Sequence, residues 1–219
     1  MIILITGASG GIGAAAARLF LERGHEVHGL DTAPAVIRDP NYIHHVADVR
    51  DPATYPADLE PEILVNCAGV QDTGDDIDIN LKGTILVTEH YAVSSRVIRA
   101  VVNVGSASAH TGSEFPAYAA SKGGISTYTK NVALRLAPRA ICNSIDPGGV
   151  MTDLNRCVIE DEDLWAQIME LTPLKRWAEP EEIAEWIYFV GVTNRFMTGQ
   201  NLLIDGGEAG NARFIWPEE

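Results

Sequence analysis

Hydrophobic and polar positions in the N-terminal part of the chain follow two rhythms. Met1 to Ile5 is an unbroken apolar run, which predicts a strand buried on both faces. From Ala14 to Arg23, Ala, Leu and Phe recur at helical spacing and predict a helix. Glu26 to Leu30 predicts a second strand, ending at Asp31. Further on, Tyr118 and Lys122 fall four apart, so on a helix they share one face. Trp165 to Met169 also places apolar groups on one helix face. The acidic run Glu160 to Asp163 just before it suits a solvated helix start, the end that favours carboxylates.

The first strand and first helix are joined by Thr6-Gly7-Ala8-Ser9-Gly10-Gly11-Ile12-Gly13. Strand, glycine-rich turn and helix form the context a phosphate-binding loop needs. Glycines let the backbone approach a pyrophosphate, and the helix N-terminus faces it with free N–H groups. Asp31 lies about twenty residues beyond, where a carboxylate accepts hydrogen bonds from adenosine ribose hydroxyls and repels a 2′-phosphate. No Arg or Lys sits in the glycine loop or directly after Asp31, which favours NAD over NADP. The Tyr118–Lys122 pair adds a chemistry. An ammonium beside a phenol stabilises the phenolate and lowers its pKa from about 10 toward neutrality. A tyrosine tuned this way exchanges a proton with an alcohol or carbonyl.

Together these residues resemble the short-chain dehydrogenase/reductase family, nearly from end to end. Thr6-Gly7-x-x-x-Gly11-x-Gly13 resembles its cofactor fingerprint, and Asp48-Val49 its adenine-contacting acid. Asn66-Cys67-Ala68-Gly69 resembles its Asn-Asn-Ala-Gly strand end, with Cys67 in the second Asn place. Asn80, in Ile79-Asn80-Leu81-x-Gly83, matches the Asn of the proton relay. Ser106 matches the catalytic serine after the fifth strand, Val101 to Val104, and Gly105 replaces the first of the usual serine pair. Tyr118 and Lys122 match the catalytic pair. Pro147-Gly148-x-Val150-x-Thr152 resembles the segment over the nicotinamide. Pro180 to Ala184, and Thr198-Gly199 with Asp205-Gly206-Gly207, resemble the C-terminal signatures.

The resemblance implies an α/β fold: a single three-layer, doubly wound Rossmann-like domain over residues 1–219 with a seven-stranded parallel sheet. It implies NAD as cofactor, held by Gly7, Ser9, Gly11, Ile12, Gly13, Asp31, Asp48, Val49, Asn66, Ala68, Gly69, Tyr118, Lys122, Pro147, Gly148, Val150 and Thr152. Tyr118 exchanges the proton, Lys122 tunes it and binds the nicotinamide ribose, Ser106 fixes the substrate oxygen, and Asn80 holds a relay water. Substrate contacts are expected from Ser106, Ser108, His110, Gly149, Leu154 and Trp165, under a lid at about 152–179. The implied substrate is a small, partly apolar secondary alcohol or ketone. The Ser106 to Tyr118 stretch also resembles that of cyclic dihydrodiol dehydrogenases. Two other readings stand beside this one: an NAD(H)-binding redox sensor without turnover, and a 3-oxoacyl carrier-protein or thioester reductase.

The chain departs from the family pattern in three shortened stretches: Asp31 to Asp48, Asp48 to Asn66 and Gly69 to Asn80. Asp51-Pro52 and Pro56 to Pro61 leave little room for a crossover helix. The loop Asp72 to Asp78 is acidic and glycine-broken.

The 219 residues carry a net charge of −14, which argues against nucleic acid and anionic membranes as partners, and against an acidic carrier protein. Met1 to Ile5 enters the first strand without a charged leader, and no run reaches membrane-spanning length. Cys67, Cys142 and Cys157 are odd in number and lack metal-type spacing, which predicts a reducing, cytoplasmic location and no metal site. His44 and His45 are adjacent, so on a strand they face apart rather than share a ligand. A homodimer or homotetramer is implied by the resemblance, through helices near Gly83 to Val93 and Tyr118 to Leu136. The apolar tail Phe214-Ile215-Trp216-Pro217 either docks on a neighbouring subunit or covers its own sheet edge.

Overall fold

Every strand of the sheet runs parallel, as the continuous apolar runs require, and both faces are covered. The structure, a computed structural model, describes residues 1–113 and 115–211. Its seven strands are β1 (Ile2–Thr6), β2 (Glu26–Asp31), β3 (Tyr42–Val46), β4 (Ile63–Asn66), β5 (Ala100–Val104), β6 (Ile141–Pro147) and β7 (Asn201–Ile204). They lie in the order β3-β2-β1-β4-β5-β6-β7. The tail Phe214 to Pro217 falls outside the described residues.

Alternate residues of one strand feed opposite cores. Ile3 and Ile5 join Ile63, Val65 and Val102 on one face, beneath α1 (Gly11–Glu22) and α7 (Pro180–Tyr188). Leu4, Leu64 and Val101 join Tyr91, Val132 and Leu136 on the other. Tyr91 belongs to a helical run in which α2 (Thr84–Thr88) is flanked by π turns at Ile77–Gly83 and Glu89–Val93. Val132 and Leu136 belong to the long α4 (Pro116–Leu136), reached from β5 through the short α3 (Ser108–Thr111). The buried small residues Ala14 to Ala17 let α1 lie close on the sheet.

The shortened stretches carry no crossover helix. Residues 32–41 are irregular, and between β3 and β4 only the turn Pro52–Thr54 forms, capped by the Asp51 side chain. The uncovered β2–β3 edge is dressed by side chains instead. His28 stacks on His45 with Nδ1 to Nε2 at 2.9 Å, and Tyr42 bonds His44 Nδ1 at 3.1 Å across the ring face that Gly29 leaves free. His44 and His45 thus have separate partners. Ile43 and Val46 remain exposed there.

The strand order reverses between β1 and β4, so a crevice opens at their carboxyl ends, the place where such sheets bind ligands. The segment after β6 contributes to its lining. It contains α5 (Arg156–Ile159) and α6 (Glu162–Leu171), with Asp161 accepting a cap bond from Leu164 N–H. No residue of α6 is buried. No helix among the described residues is long and apolar enough to cross a membrane.

Candidate active site

The crevice is a cleft of about 940 Å³. At one end the glycine loop turns through Gly7 and Gly11, both in the left-handed region at φ +69° and +46°. A Cβ on Gly7 would lie 2.8 Å from the Ala68 backbone, and one on Gly13 would run into the Gly7 carbonyl. Gly13 therefore serves helix–strand packing behind the loop, while Gly7, Gly10, Gly11 and Ile12 line the cleft. Gly10 caps α1 with no side-chain bond to the helix, which leaves first-turn N–H groups for an anion. Thr6 Oγ1 accepts from Cys67 and Ala68 N–H at 3.0 Å, tying the loop to the end of β4.

Asp31, half-buried at the end of β2, accepts from Ser9 N–H and Ala33 N–H at 2.9 Å each. Ser9 thus acts through its backbone on Asp31 and is not part of the cleft wall. Asp48, Val49, Ala68 and Gly69 line the same end. The sequence reading overlooked Arg50, which reaches this wall. Its guanidinium grips Asp48 at 2.7 to 3.1 Å and meets Asp75 at 3.3 Å, holding the Asp48 carboxyl below the usual range. The signal was present: an Asp two residues before an Arg is the spacing at which Arg50 N–H also bonds Asp48 Oδ1, at 2.8 Å.

Asn66 lies behind the wall, bonding Thr88 Oγ1 and Asn103 Oδ1 at 2.8 Å. Asn80 is fully buried in the π turn. Its amide accepts from Val70 N–H at 2.8 Å and donates to Val70 carbonyl at 2.9 Å and Ser121 Oγ at 3.1 Å. The insertion of an extra residue into that turn is a frequent device at functional sites. A Cβ on Gly69 would meet Asn80 Oδ1 at 3.3 Å and Lys122 Nζ at 3.5 Å, so Gly69 leaves both groups room.

Tyr118 and Lys122 sit one turn apart on α4, facing the cleft. Lys122 is 6% exposed. It donates to the Val104 carbonyl at 3.0 Å and lies 5.6 Å from the centre of the Tyr118 ring. Ser106 Oγ accepts from Ser108 N–H at 3.1 Å and from Ser108 Oγ at 3.0 Å. Both acceptor positions are used, so the Ser106 proton is left to donate into the cleft. Cys67 lines the wall too, but burial pushes its thiol up to about 12, which makes it a poor nucleophile.

Pro147, Gly148, Gly149, Val150 and Thr152 line the cleft roof, with Thr152 set against Gly11. Ser108 and Leu154 also line the cleft. Two residues expected to touch substrate are not among those lining the cleft. His110 turns away from the cleft and pairs with Asp146 at 2.6 Å, because α3 aims alternate side chains to opposite sides. Trp165 packs edge-on against Trp177 at 5.1 Å, and it is Trp177 that faces the cleft, with its indole over Gly149. Among the described residues, no group of three His, Cys, Asp or Glu side chains is placed to hold a metal.

A glycine-loop crevice at the switch point of a parallel sheet defines a dinucleotide-binding α/β protein. The family model described as enoyl-(acyl carrier protein) reductase matches residues 60–208. An uncharacterised oxidoreductase of Schizosaccharomyces pombe is 30% identical, over 98% of this chain and 93% of its own length. A 3-oxoacyl carrier-protein reductase of Vibrio harveyi is 31% identical, over 94% and 96%. Among solved structures, aldohexose dehydrogenase of Thermoplasma acidophilum superposes with a TM-score of 0.86 at 29% identity, covering 99% of this chain and 97% of that one. 4-Hydroxyisoleucine dehydrogenase complexed with NADH gives 0.88 at 28%, covering 96% and 99%. The chain belongs to the short-chain dehydrogenase/reductase family and is an oxidoreductase of that family.

Proposed function

We propose that this chain is an NAD-dependent dehydrogenase that interconverts a small, uncharged secondary alcohol and its ketone. The observation that carries the reading is the convergence of Tyr118, Lys122 and Ser106 on one wall of the cleft, with Ser106 oriented to donate. The residues fit a dinucleotide: α1 offers uncapped N–H groups, Gly7 and Gly11 keep the loop low, and Asp31 stands at the adenosine end. When bound, the nicotinamide supplies the hydride acceptor or donor.

Tyr118 takes the alcohol proton, or returns it to the ketone, at its phenol oxygen. Lys122 favours the phenolate by charge, and its anchor at Val104 keeps that charge in place. Ser106 donates to the substrate oxygen and fixes its position. Asn80 shapes the backbone between Val70 and α4, where a water would link Lys122 to solvent.

The choice of NAD rests on Asp31 and on Arg50 being neutralised by Asp48 and Asp75. The choice of an uncharged substrate rests on the cleft wall. Its apolar side is Leu154, Ile168, Leu171 and Trp177, its polar side includes Gln71 and Glu208, and its cations among the described residues are Lys122 and Arg50. The Vibrio relative favours a second reading, a 3-oxoacyl thioester reductase, which this acidic, cation-poor rim opposes. Residues 152–179 act as the lid, since α6 buries none of its side chains. Leu134, 81% exposed on α4, suits a two-fold contact with a second copy in the cytoplasm.

The test is a panel of dihydrodiols, polyols, hydroxysteroids and hydroxyacyl thioesters with NAD⁺ at mildly alkaline pH, read by reduced-nicotinamide absorbance. Turnover that vanishes in Tyr118→Phe, with NAD⁺ binding retained, supports the reading. Equal turnover in that variant sinks it. NAD⁺ binding without turnover of any alcohol favours the sensor.

A further inference from the structure

Directly behind the Ser106 turn lies a His–Asp pair that the reaction described above does not use. Asp146, near the end of β6, is fully buried. Its Oδ2 is 2.6 Å from His110 Nε2, and its Oδ1 has no partner among the described residues. Oδ1 occupies the space a side chain at position 105 would need: a Cβ on Gly105 would collide with it. The Gly105 backbone lies outside the left-handed region, so only this collision bars a side chain there. Gly105, Asp146 and His110 are therefore one unit, with the glycine making room for the acid and the acid holding the imidazole.

We propose that Asp146 and His110 are positioning residues of the catalytic centre, bracing the turn that presents Ser106 and setting a buried carboxyl against the end of β5 that Lys122 also holds. The inference rests on the dehydrogenase reading above. Two connections carry it. First, His110 belongs to α3, the turn whose Ser108 makes both bonds to Ser106 Oγ, and α3 is further pinned by Ala107 N–H on the Pro147 carbonyl at 2.7 Å. The His110–Asp146 pair thus anchors the Ser106 turn to the strand beside it. Second, Asp146 and Lys122 meet at neighbouring residues: Asp146 Oδ1 lies against Gly105, and Lys122 Nζ donates to the Val104 carbonyl at 3.0 Å; burial drives the Asp146 carboxyl up, while Ser144, His110 and Lys122 oppose this.

The direction of that action follows from charge. An ionised Asp146 draws on the Lys122 field and leaves less of it for the Tyr118 phenolate. Among the described residues, Lys130 of α4 lines a second, polar cavity with His110, and Asp205 lies against Gly148, which is two residues beyond Asp146. The His110 side chain is 32% exposed toward that cavity, whereas the Asp146 side chain is fully buried.

One arm of the test needs no substrate. Gly105→Ser alone is expected to lower the melting temperature, and Gly105→Ser with Asp146→Ala to restore it. A single variant that melts like the parent overturns the placement of Asp146. The other arm is the pH profile of alcohol oxidation. Asp146→Asn keeps the shape and removes the charge, and its acid-side limb is expected about half a pH unit lower. His110→Ala is expected to cut kcat about tenfold with cofactor affinity held, and His110→Gln to recover most of it. Full kcat in both His110→Ala and Asp146→Asn, with an unmoved profile, overturns the proposal. Persistent turnover in Tyr118→Phe instead overturns the catalytic reading, so the two failures are distinct.

Discussion

Asp31→Asn isolates the charge on which cofactor choice is argued to depend. The carboxylate is held by two backbone N–H groups, from Ser9 and Ala33, so it keeps its place at the adenosine end of the cleft. A 2′-phosphate carries nearly two negative charges, and each unit at contact distance in well-solvated surroundings costs about 1 kcal/mol against a carboxylate. Asp31 is only half-buried, so the solvated figure applies and the repulsion is about 2 kcal/mol, roughly 30-fold in binding. The same substitution weakens charge-assisted bonds to ribose hydroxyls, which should cost NAD⁺ about tenfold. The expected change in the NADP⁺/NAD⁺ ratio of binding constants is therefore roughly 300-fold at most, and at least the 30-fold from repulsion alone. Tryptophan fluorescence titration with each dinucleotide reads both constants, since Trp177 lines the cleft. A ratio that moves less than about threefold, within the scatter of such charge effects, would refute the reasoning and turn attention to Arg50.

Three other perturbations test separate parts of the structure. Asn80→Ala removes three hydrogen bonds of a fully buried side chain and should cost about 2–4 kcal/mol in denaturant unfolding; a loss under 1 kcal/mol would mean water replaces the amide. Glu182 is held down to about 2 by Arg176, so its stabilisation is present above the unfolded carboxyl range and is lost as pH falls toward 2. Glu182→Gln should therefore flatten the acid-side fall of the melting temperature between about pH 4.5 and 2, weakly, because both side chains are over a third exposed, and less so in high salt; parallel curves would contradict the pairing. Glu208 lines the cleft, and burial holds its carboxyl above the usual range. Glu208→Gln should improve KM for hydroxy acids over uncharged alcohols by about fivefold or more, and an unchanged preference would remove Glu208 from the substrate wall.

Much of the site was legible because backbone chemistry dictates it. The glycine loop reads from sequence since only glycine tolerates the φ values at 7 and 11 and the contact of Gly13 with the Gly7 carbonyl. Tyr118 and Lys122 read from spacing, because four residues on a helix return to one face. Ser106 came from its match to the serine that the family carries after its fifth strand. What escaped depended on direction rather than order. His110 and Ser108 are two apart, yet one faces Asp146 and the other the cleft, and nothing local says which. Trp165 was expected at the substrate, yet it is Trp177 that lines the cleft, with Trp165 packed edge-on against it. Arg50 escaped because its partners Asp48 and Asp75 lie on separate loops. The trimmed crossover was foreseen from its prolines, but its consequence, side chains in place of helices along β2 and β3, was not.

That consequence bears on how the cofactor end is built. With no crossover helix between β3 and β4, this end of the cleft wall is formed by the 47–50 turn and what holds it. The Arg50 bridges to Asp48 and Asp75 are mostly exposed, and such pairs contribute little at physiological salt. The firmer constraints lie inside: Val49 packs against Gly83 of the π turn, where a Cβ would approach it at 2.6 Å, and Tyr55 donates to the Val49 carbonyl at 2.5 Å. The same π turn carries Asn80, whose amide fixes Val70 beside the cleft and Ser121 next to Lys122. One irregular turn thus touches Val49 of the cleft wall on one side and Val70 and Ser121, next to Lys122, on the other. A chain without a crossover helix between β3 and β4 can keep a defined cleft because this turn ties the two ends together.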